Sequence, residues 1–369
     1  MPHRPRSAHP RWLVAVLVVT IGLSAGCATT ITWTPTPVPL APGRTGGALE
    51  RVSCASADFC LAVSAPVTGG SFVERWDGEA WTPVDDPAVT SMARWPADVS
   101  CPAVGTCVVV GVLSEPGGGG LAGIVRLDAT GWHAAELDDP PAVPLTSVSC
   151  ATPDACLAVG NGAALRWDGV AWTEIPAPAA AFAYTENRVA CVAPDACFAL
   201  SFLFGPVSRD RILRWDGSSW TIEYDYVLDG LVAVEDVACS TPDRCVAVGL
   251  KWSSTPTPTG YAPALLERRG TTWHEVGIPA IDVRGLSAVA CAPGGTCVAV
   301  GGDADVFSTS PAAAALVSRR PGSWSVGTNP PPELGLVALS CVAGSCMAVG
   351  RQVPPGAPEP SPTAARLSL

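Results

Sequence analysis

The chain reads SVSCATPDACLAVG over Ser147–Gly160. Nearly the same run returns as DVACSTPDRCVAVG over Asp236–Gly249 and as AVACAPGGTCVAVG over Ala288–Gly301. Such self-similarity has to be resolved before any local reading, because a fixed period decides the architecture. The cysteines mark the period. Cys54 pairs with Cys60, Cys101 with Cys107, Cys150 with Cys156, Cys191 with Cys197, Cys239 with Cys245, Cys291 with Cys297 and Cys341 with Cys346. Successive first cysteines lie 41 to 52 residues apart. Behind each pair comes a variable stretch, then a segment such as LRWDGVAWT (Leu165–Thr173) or LRWDGSSWT (Leu213–Thr221).

Each unit thus holds four short apolar runs with strand-like composition. The first ends at the first cysteine, the second starts at the second cysteine, the third ends in RWD and the fourth starts at a Trp. Asp168-Gly169 and Asp216-Gly217 mark tight turns between runs three and four. Four antiparallel strands per 40–50 residues is the signature of a propeller blade. The fold class expected is all-β: a seven-bladed β-propeller with four-stranded antiparallel blades.

Six fourth-strand tryptophans follow cysteine pairs: Trp81, Trp132, Trp172, Trp220, Trp273 and Trp324. The seventh pair is followed by AARLSL and no Trp. The missing strand stands at the other end, in TITWTP (Thr30–Pro35), with Trp33. The N-terminal strand is expected to complete the last blade and to hide an unpaired edge.

The pattern resembles the kelch-like and Asp-box families of propellers, which also have a Gly-bearing second strand and a turn into a Trp at the fourth. The likeness covers nearly all of residues 30–369. Asp and Gly are adjacent here, which departs from the Asp-box pattern S-x-D-x-G-x-T-W. The resemblance implies the fold and leaves function open.

The N-terminus carries Arg4, Arg6 and Arg11, an apolar core from Trp12 to Leu23, and then small residues. This run is too short to span a bilayer and reads as a signal peptide. Leu23-Ser24-Ala25-Gly26-Cys27 resembles a bacterial lipobox, with Cys27 as the lipidated residue; plain secretory cleavage after Ala28 is the alternative. The domains expected are a signal peptide over 1–26 and the propeller over 27–369. The localisation is then the cell envelope, exported and lipid-anchored, or else secreted. Fifteen cysteines fit an oxidising compartment. C-x5-C suits a disulfide across the first hairpin of each blade and does not match metal-ligand spacing. Neither a metal nor a cofactor is expected.

Removing residues 1–26 takes away three arginines and no acids, leaving 19 basic against 33 acidic residues. This acidic balance argues against nucleic acid or an anionic lipid surface as partner. A repeated position is read for Arg75, Arg126, Arg166, Arg214 and Arg268, and repetition favours packing over chemistry. The histidines beyond the signal, His133 and His274, follow fourth-strand tryptophans and show no catalytic constellation.

In such a blade the 1–2 and 3–4 turns share one end. The 2–3 loops and blade-to-blade connections share the other, where the sequence is irregular. Variable loops on a rigid frame are where recognition is expected. The candidate ligand face comprises Trp95, Trp252, Tyr184, Tyr224, Tyr226, Asp85, Asp86, Glu223 and Asp225. Aromatics beside carboxylates suit sugar stacking or a protein partner. Asp303-Ala304-Asp305 is a weak Ca²⁺ motif in the same loops. The function expected is a non-catalytic, monomeric binding or scaffold module for a protein or glycan. The alternative is a glycoside-active hydrolase or lyase that uses loop carboxylates.

Overall fold

The computed structural model describes residues 32–40, 46–64, 70–92, 95–114, 120–135, 137, 141, 143–178, 181, 187–203, 209–227, 231–252, 260–302, 313–331, 334–352 and 360–369. These residues form seven four-stranded antiparallel sheets, each running in order from its innermost to its outermost strand. The innermost strands of blades 1 to 7 are Leu49–Ser56, Trp95–Ala103, Ser147–Thr152, Arg188–Ala193, Leu231–Thr241, Gly285–Cys291 and Leu334–Val342. The one helix among the described residues is a single turn, Pro87–Thr90. No described helix is long and apolar enough to cross a membrane.

Closure follows the sequence expectation with a shift of two residues. The N-terminal strand is Thr32–Pro37 and pairs with Ser361–Ser368 in the seventh blade, Thr32 facing Ser368 and Pro37 facing Thr363. Trp33 sits opposite Leu367, the place that Trp81 takes opposite Trp76 in blade 1. Its indole Nε1 donates to the Thr328 carbonyl of blade 6 at 2.7 Å. On the other side, Thr36 Oγ1 accepts from Trp81 Nε1 of blade 1 at 3.2 Å. The first and last described strands are therefore bonded to each other, and the first is bonded to both neighbouring blades.

Every expected cysteine pair is a disulfide within its own first hairpin. Cys54 is bonded to Cys60, Cys101 to Cys107, Cys150 to Cys156 and Cys191 to Cys197. Cys239 is bonded to Cys245, Cys291 to Cys297 and Cys341 to Cys346. The paired Cα atoms lie 3.9 to 4.1 Å apart, because the two cysteines face each other directly across the ladder. The second cysteines, Cys60, Cys107, Cys156, Cys197, Cys245, Cys297 and Cys346, are all buried.

The recurring Val-Gly at the end of the second strand has a steric cause. A β-bulge in the innermost strand of most blades pushes backbone toward the second strand. A Cβ on Gly111 would lie 1.9 Å from the Trp95 carbonyl oxygen, and one on Gly350 would lie 1.9 Å from that of Gly335. The Asp-Gly turns are four-residue loops. Asp77, Asp168 and Asp216 each accept two backbone N–H groups through Oδ1. Those bonds hold the Asp77 and Asp168 carboxyls below their ordinary range; at Asp216 the Ser218 hydroxyl is the largest cause of the same shift.

The core lies between blades, as seven apolar layers in which one face of each sheet meets the next. Polar staples fix the spacing. The residue before the first cysteine is Ser in blades 7, 1, 2 and 3. Ser340, Ser53, Ser100 and Ser149 accept the N–H of Cys54, Cys101, Cys150 and Cys191 in the following blade, at 2.8 to 2.9 Å. Blades 4 to 6 carry Ala190, Ala238 and Ala290 at that position. Their joints are held elsewhere. Glu223 of blade 4 forms a two-pronged ion pair with Arg268 of blade 5 at 2.7 Å on each arm. Glu267 of blade 5 accepts from Gly322 N and Trp324 Nε1 of blade 6.

This register corrects one expectation. Arg268 pairs with Trp273 and is the counterpart of Trp215, which pairs with Trp220. It does not share the position of Arg75, Arg126, Arg166 and Arg214; in blade 5 Glu267 stands there. Arg268 is 4% exposed at its side chain and lies 5.0 Å over the Phe198 ring, so it substitutes for the missing tryptophan as a packing group.

Candidate functional site

The chain segments that differ from blade to blade converge on the end opposite the disulfide turns, as the hairpin geometry requires. Tyr184 and Asp303-Ala304-Asp305 lie outside the described residues, as do Cys27 and the signal segment, and the Tyr226 side chain is not described. The remaining candidate residues are found at strand ends more than in loops, because the strands Trp220–Val227, Leu231–Thr241 and Arg244–Trp252 run further than expected.

The structure separates these residues by role. Trp95 opens the innermost strand of blade 2 and is half-buried. Asp86 caps the short helix, accepting from Ala88 N at 2.9 Å, and Asp85 lies exposed beside it. Tyr224 packs half-buried against the layer between blades 4 and 5. Glu223 is turned into the Arg268 pair and lies toward the disulfide end. Burial pushes the Asp225 carboxyl up, but ion pairs with Arg209 at 3.1 Å and Arg211 at 3.2 Å outweigh this and hold it below its ordinary range.

Trp252 stands apart from these. It is 57% exposed, and its ring stacks on Tyr261 with centroids 4.5 Å apart and planes 28° from parallel. The Arg284 guanidinium lies 4.6 Å from the Tyr261 centroid. Trp252 and Tyr261 face each other across the 2–3 hairpin of blade 5, and Arg284 precedes the innermost strand of blade 6. The result is a three-layer platform at the loop end with a large aromatic ring outermost. Such a surface stacks against a sugar face, an aromatic side chain or a proline.

A second site escaped the sequence reading. The axial channel encloses about 470 Å³ between the seven innermost strands, from the middle of the ring to the disulfide end. Its charges come from one position, three residues before the first cysteine. In blade order that position holds Arg51, Asp98, Ser147, Arg188, Asp236, Ala288 and Ala338. The same two-residue unit, Arg then Asp, occurs in blades 1–2 and again in blades 4–5. Its members behave alike. Arg51 and Arg188 each donate an Nη1 hydrogen to the carbonyl of the residue before them. Asp98 accepts from Val99 N at 2.8 Å and from Val148 N at 3.0 Å, and Asp236 accepts from Val237 N and Val289 N at 2.9 Å each. Ser147 adds its hydroxyl to Asp98 at 2.7 Å.

Burial is the largest influence on both acids. It pushes the Asp98 carboxyl up against the opposing effect of Arg51 and its hydrogen bonds. Asp236 is pushed up to about 7, with the neighbouring Asp98 charge adding to burial. Both acids thus staple their own blade to the next, and burial favours the protonated form of each. The histidines contribute nothing to this channel. His133 and His274 lie on outer strands, bonded to Thr130 and Thr272.

No family model and no curated protein matches the chain. Solved structures match its fold. The chain is similar to virginiamycin B lyase from Staphylococcus aureus, with a TM-score of 0.55 at 10% identity, covering 92% of this chain and 99% of that one. It is similar to YCF48 from Cyanidioschyzon merolae, with a TM-score of 0.52 at 12% identity, covering 90% and 98%. The β-propeller domain of the Trilobed protease from Pyrococcus furiosus gives 0.52 at 10% identity, covering 83% and 91%. That domain is described as having an open velcro topology. Here the seventh sheet is completed by the N-terminal strand. At these identities the likeness shows the fold, and no chemistry follows from it.

Proposed function

We propose that the chain is an exported β-propeller, lipid-anchored through Cys27, that serves as a non-catalytic binding module for a protein or a glycan. The observation that carries this reading is the Trp252–Tyr261–Arg284 platform at the loop end of a ring that is otherwise rigidly stapled. Seven hairpin disulfides support export, since such bonds persist in oxidising compartments. The kelch-like and Asp-box likeness rests on the sequence and adds the frame alone.

The test is a glycan and peptide array probed with the intact protein and with Trp252→Ala. An exposed aromatic anchor at the centre of an interface contributes about 2 kcal/mol, or roughly 30-fold in Kd. Unchanged capture by the variant removes the platform from the account. For the anchor, Cys27→Ser is expected to release the protein from the membrane fraction; retention there contradicts lipidation.

One observation favours a second reading, a glycoside-active enzyme. The Asp236 carboxyl titrates near the range used by a general acid and shares the channel with Asp98. Asp236→Asn distinguishes the two: an enzyme loses turnover while still folded, and a binding module loses none.

A further inference from the structure

The N-terminal strand has a direction, and that direction orients the anchor. Thr32 faces Ser368, beside the 1–2 turn of blade 7, so the strand enters from the disulfide end of the ring and runs toward the loop end. Cys27 lies five residues before Thr32. At 3.3–3.6 Å per residue, its reach from Thr32 is at most about 18 Å. An acyl group on Cys27 therefore holds the disulfide end, at the border of blades 6 and 7, close against the bilayer.

That end is unevenly charged. In blades 1 to 4 the exposed turn residues include Asp58, Asp77, Asp154, Asp168, Asp195 and Asp216. In blades 5 and 6 the Asp-Gly turn is replaced by Arg268-Arg269-Gly270 and by Arg319-Arg320-Pro321-Gly322. Arg269, Arg319 and Arg320 are exposed there, and Arg244 projects from the 1–2 turn of blade 5 toward Gly295 of blade 6. Between these turns lies a recess of about 250 Å³ lined by Asp243, Arg244, Arg268, Arg269, Ser318 and Pro321. Glu267 and Asp243 face the group. Glu267 is buried on Trp324 and Gly322 with Arg269 at 3.9 Å, and Asp243 is 91% exposed and lies 3.7 Å from Arg268.

We propose that the arginine sector of blades 5 and 6 docks on anionic phospholipid headgroups, so that the anchored ring stands on its disulfide end with the loop end facing away from the membrane. The occupant is argued from proximity and charge. Its blade 6 turn adjoins blade 7, in which the strand that follows the anchor begins at Thr32, and the sector is the basic part of an end whose other exposed turns carry aspartates. Arginine forks match phosphate oxygens, and basic residues near an anionic surface add to an acyl anchor that is weak when single. The exposed acidic turns of blade 3 lie across the ring, while those of blades 1 and 4 flank the anchored and basic blades on either side. The overall acidity of the chain, which argues against such a surface, averages over this segregation.

This inference rests on the lipid-anchor reading, and the experiment separates the two. The full chain as recovered from membranes is placed in phosphatidylethanolamine vesicles with and without phosphatidylglycerol. It is then treated with an arginine-specific dicarbonyl and read by peptide mass. Labelling of Arg269, Arg319 and Arg320 is expected to drop about fivefold with phosphatidylglycerol and to recover in high salt. Arg209, at the loop end, keeps its labelling. An acylated N-terminal peptide with no selective protection, with protection at Arg209, or with protection only when other envelope proteins are present, overturns the docking face and leaves the anchor. An unacylated N-terminal peptide sinks the anchor. The face is then judged by co-sedimentation with the same vesicles, in which Arg269→Gln/Arg319→Gln/Arg320→Gln is expected to lower partitioning about 100-fold. Equal partitioning of the variant and the unaltered chain overturns it.

Discussion

Replacing Thr36 by Val tests ring closure at a single atom. Thr36 Oγ1 is the acceptor for Trp81 Nε1, and Trp81 is 2% exposed. Valine keeps the shape and the strand preference of threonine but removes the acceptor, so a buried indole N–H is left without a partner. An unmet buried donor costs about 1–3 kcal/mol. For a ring of roughly 340 residues the unfolding entropy is about 0.7 kcal/mol/K, so the melting temperature falls by about 1.5–4 °C. Thr36→Ser, which retains the hydroxyl, is the control and falls less. Calorimetry on the three proteins in the oxidised state reads the difference. A valine variant that melts with the unaltered protein, or above the serine variant, refutes the claim that the N-terminal strand is bonded across to blade 1.

Three further outcomes are expected. Stability falls as pH rises from about 4 to 7, because folded Asp236 keeps a proton that the unfolded chain gives up above its ordinary value of 3.8; a shift to about 7 corresponds to about 4 kcal/mol. Asp98 adds in the same direction, and Asp236→Asn flattens this part of the profile; an unchanged profile in denaturant titrations contradicts the buried, protonated state. Mass analysis before and after reduction detects seven disulfides, and removing one pair, such as Cys191 together with Cys197 by alanine replacement, costs about 2 kcal/mol for so short a loop; mostly free thiols in the recovered protein contradict the oxidised ring. Arg268→Met leaves the buried Glu223 with only the 4.0 Å approach of Arg214 and costs about 3 kcal/mol, while adding Glu223→Leu recovers most of the loss by chemical denaturation.

The seven blades, their hairpin disulfides and the split last blade are legible because each rests on a spacing that recurs. The strand from Thr32 can be placed because Trp33 has six counterparts. Arg268 is misplaced when its residue type is read instead of its distance from the next tryptophan. Arg75, Arg126, Arg166 and Arg214 stand six residues before that Trp, whereas Arg268 stands five before, as Trp215 does. The channel charges are equally visible as a column three residues before each first cysteine. Their meaning is hidden, because a bulge in the innermost strand sets which side chains reach the axis, and a bulge leaves no mark in its own strand. Its trace is the opposing glycine, at Gly111, Gly249, Gly301 and Gly350, which the sequence shows only as a repeated letter. The loop face resists for the opposite reason. Its aromatics and acids do not repeat, so nothing in the spacing tells Glu223, consumed in an ion pair, from Trp252, left exposed.

As proposed, this ring recognises a protein or glycan through its loop face and performs no chemistry on it. An array of glycans and peptides, scored first for capture and then for turnover of whatever is captured, tests it most directly. The expected result is capture that Trp252→Ala weakens about 30-fold, with the captured molecule recovered intact. Turnover that Asp236→Asn abolishes in a folded protein would contradict it.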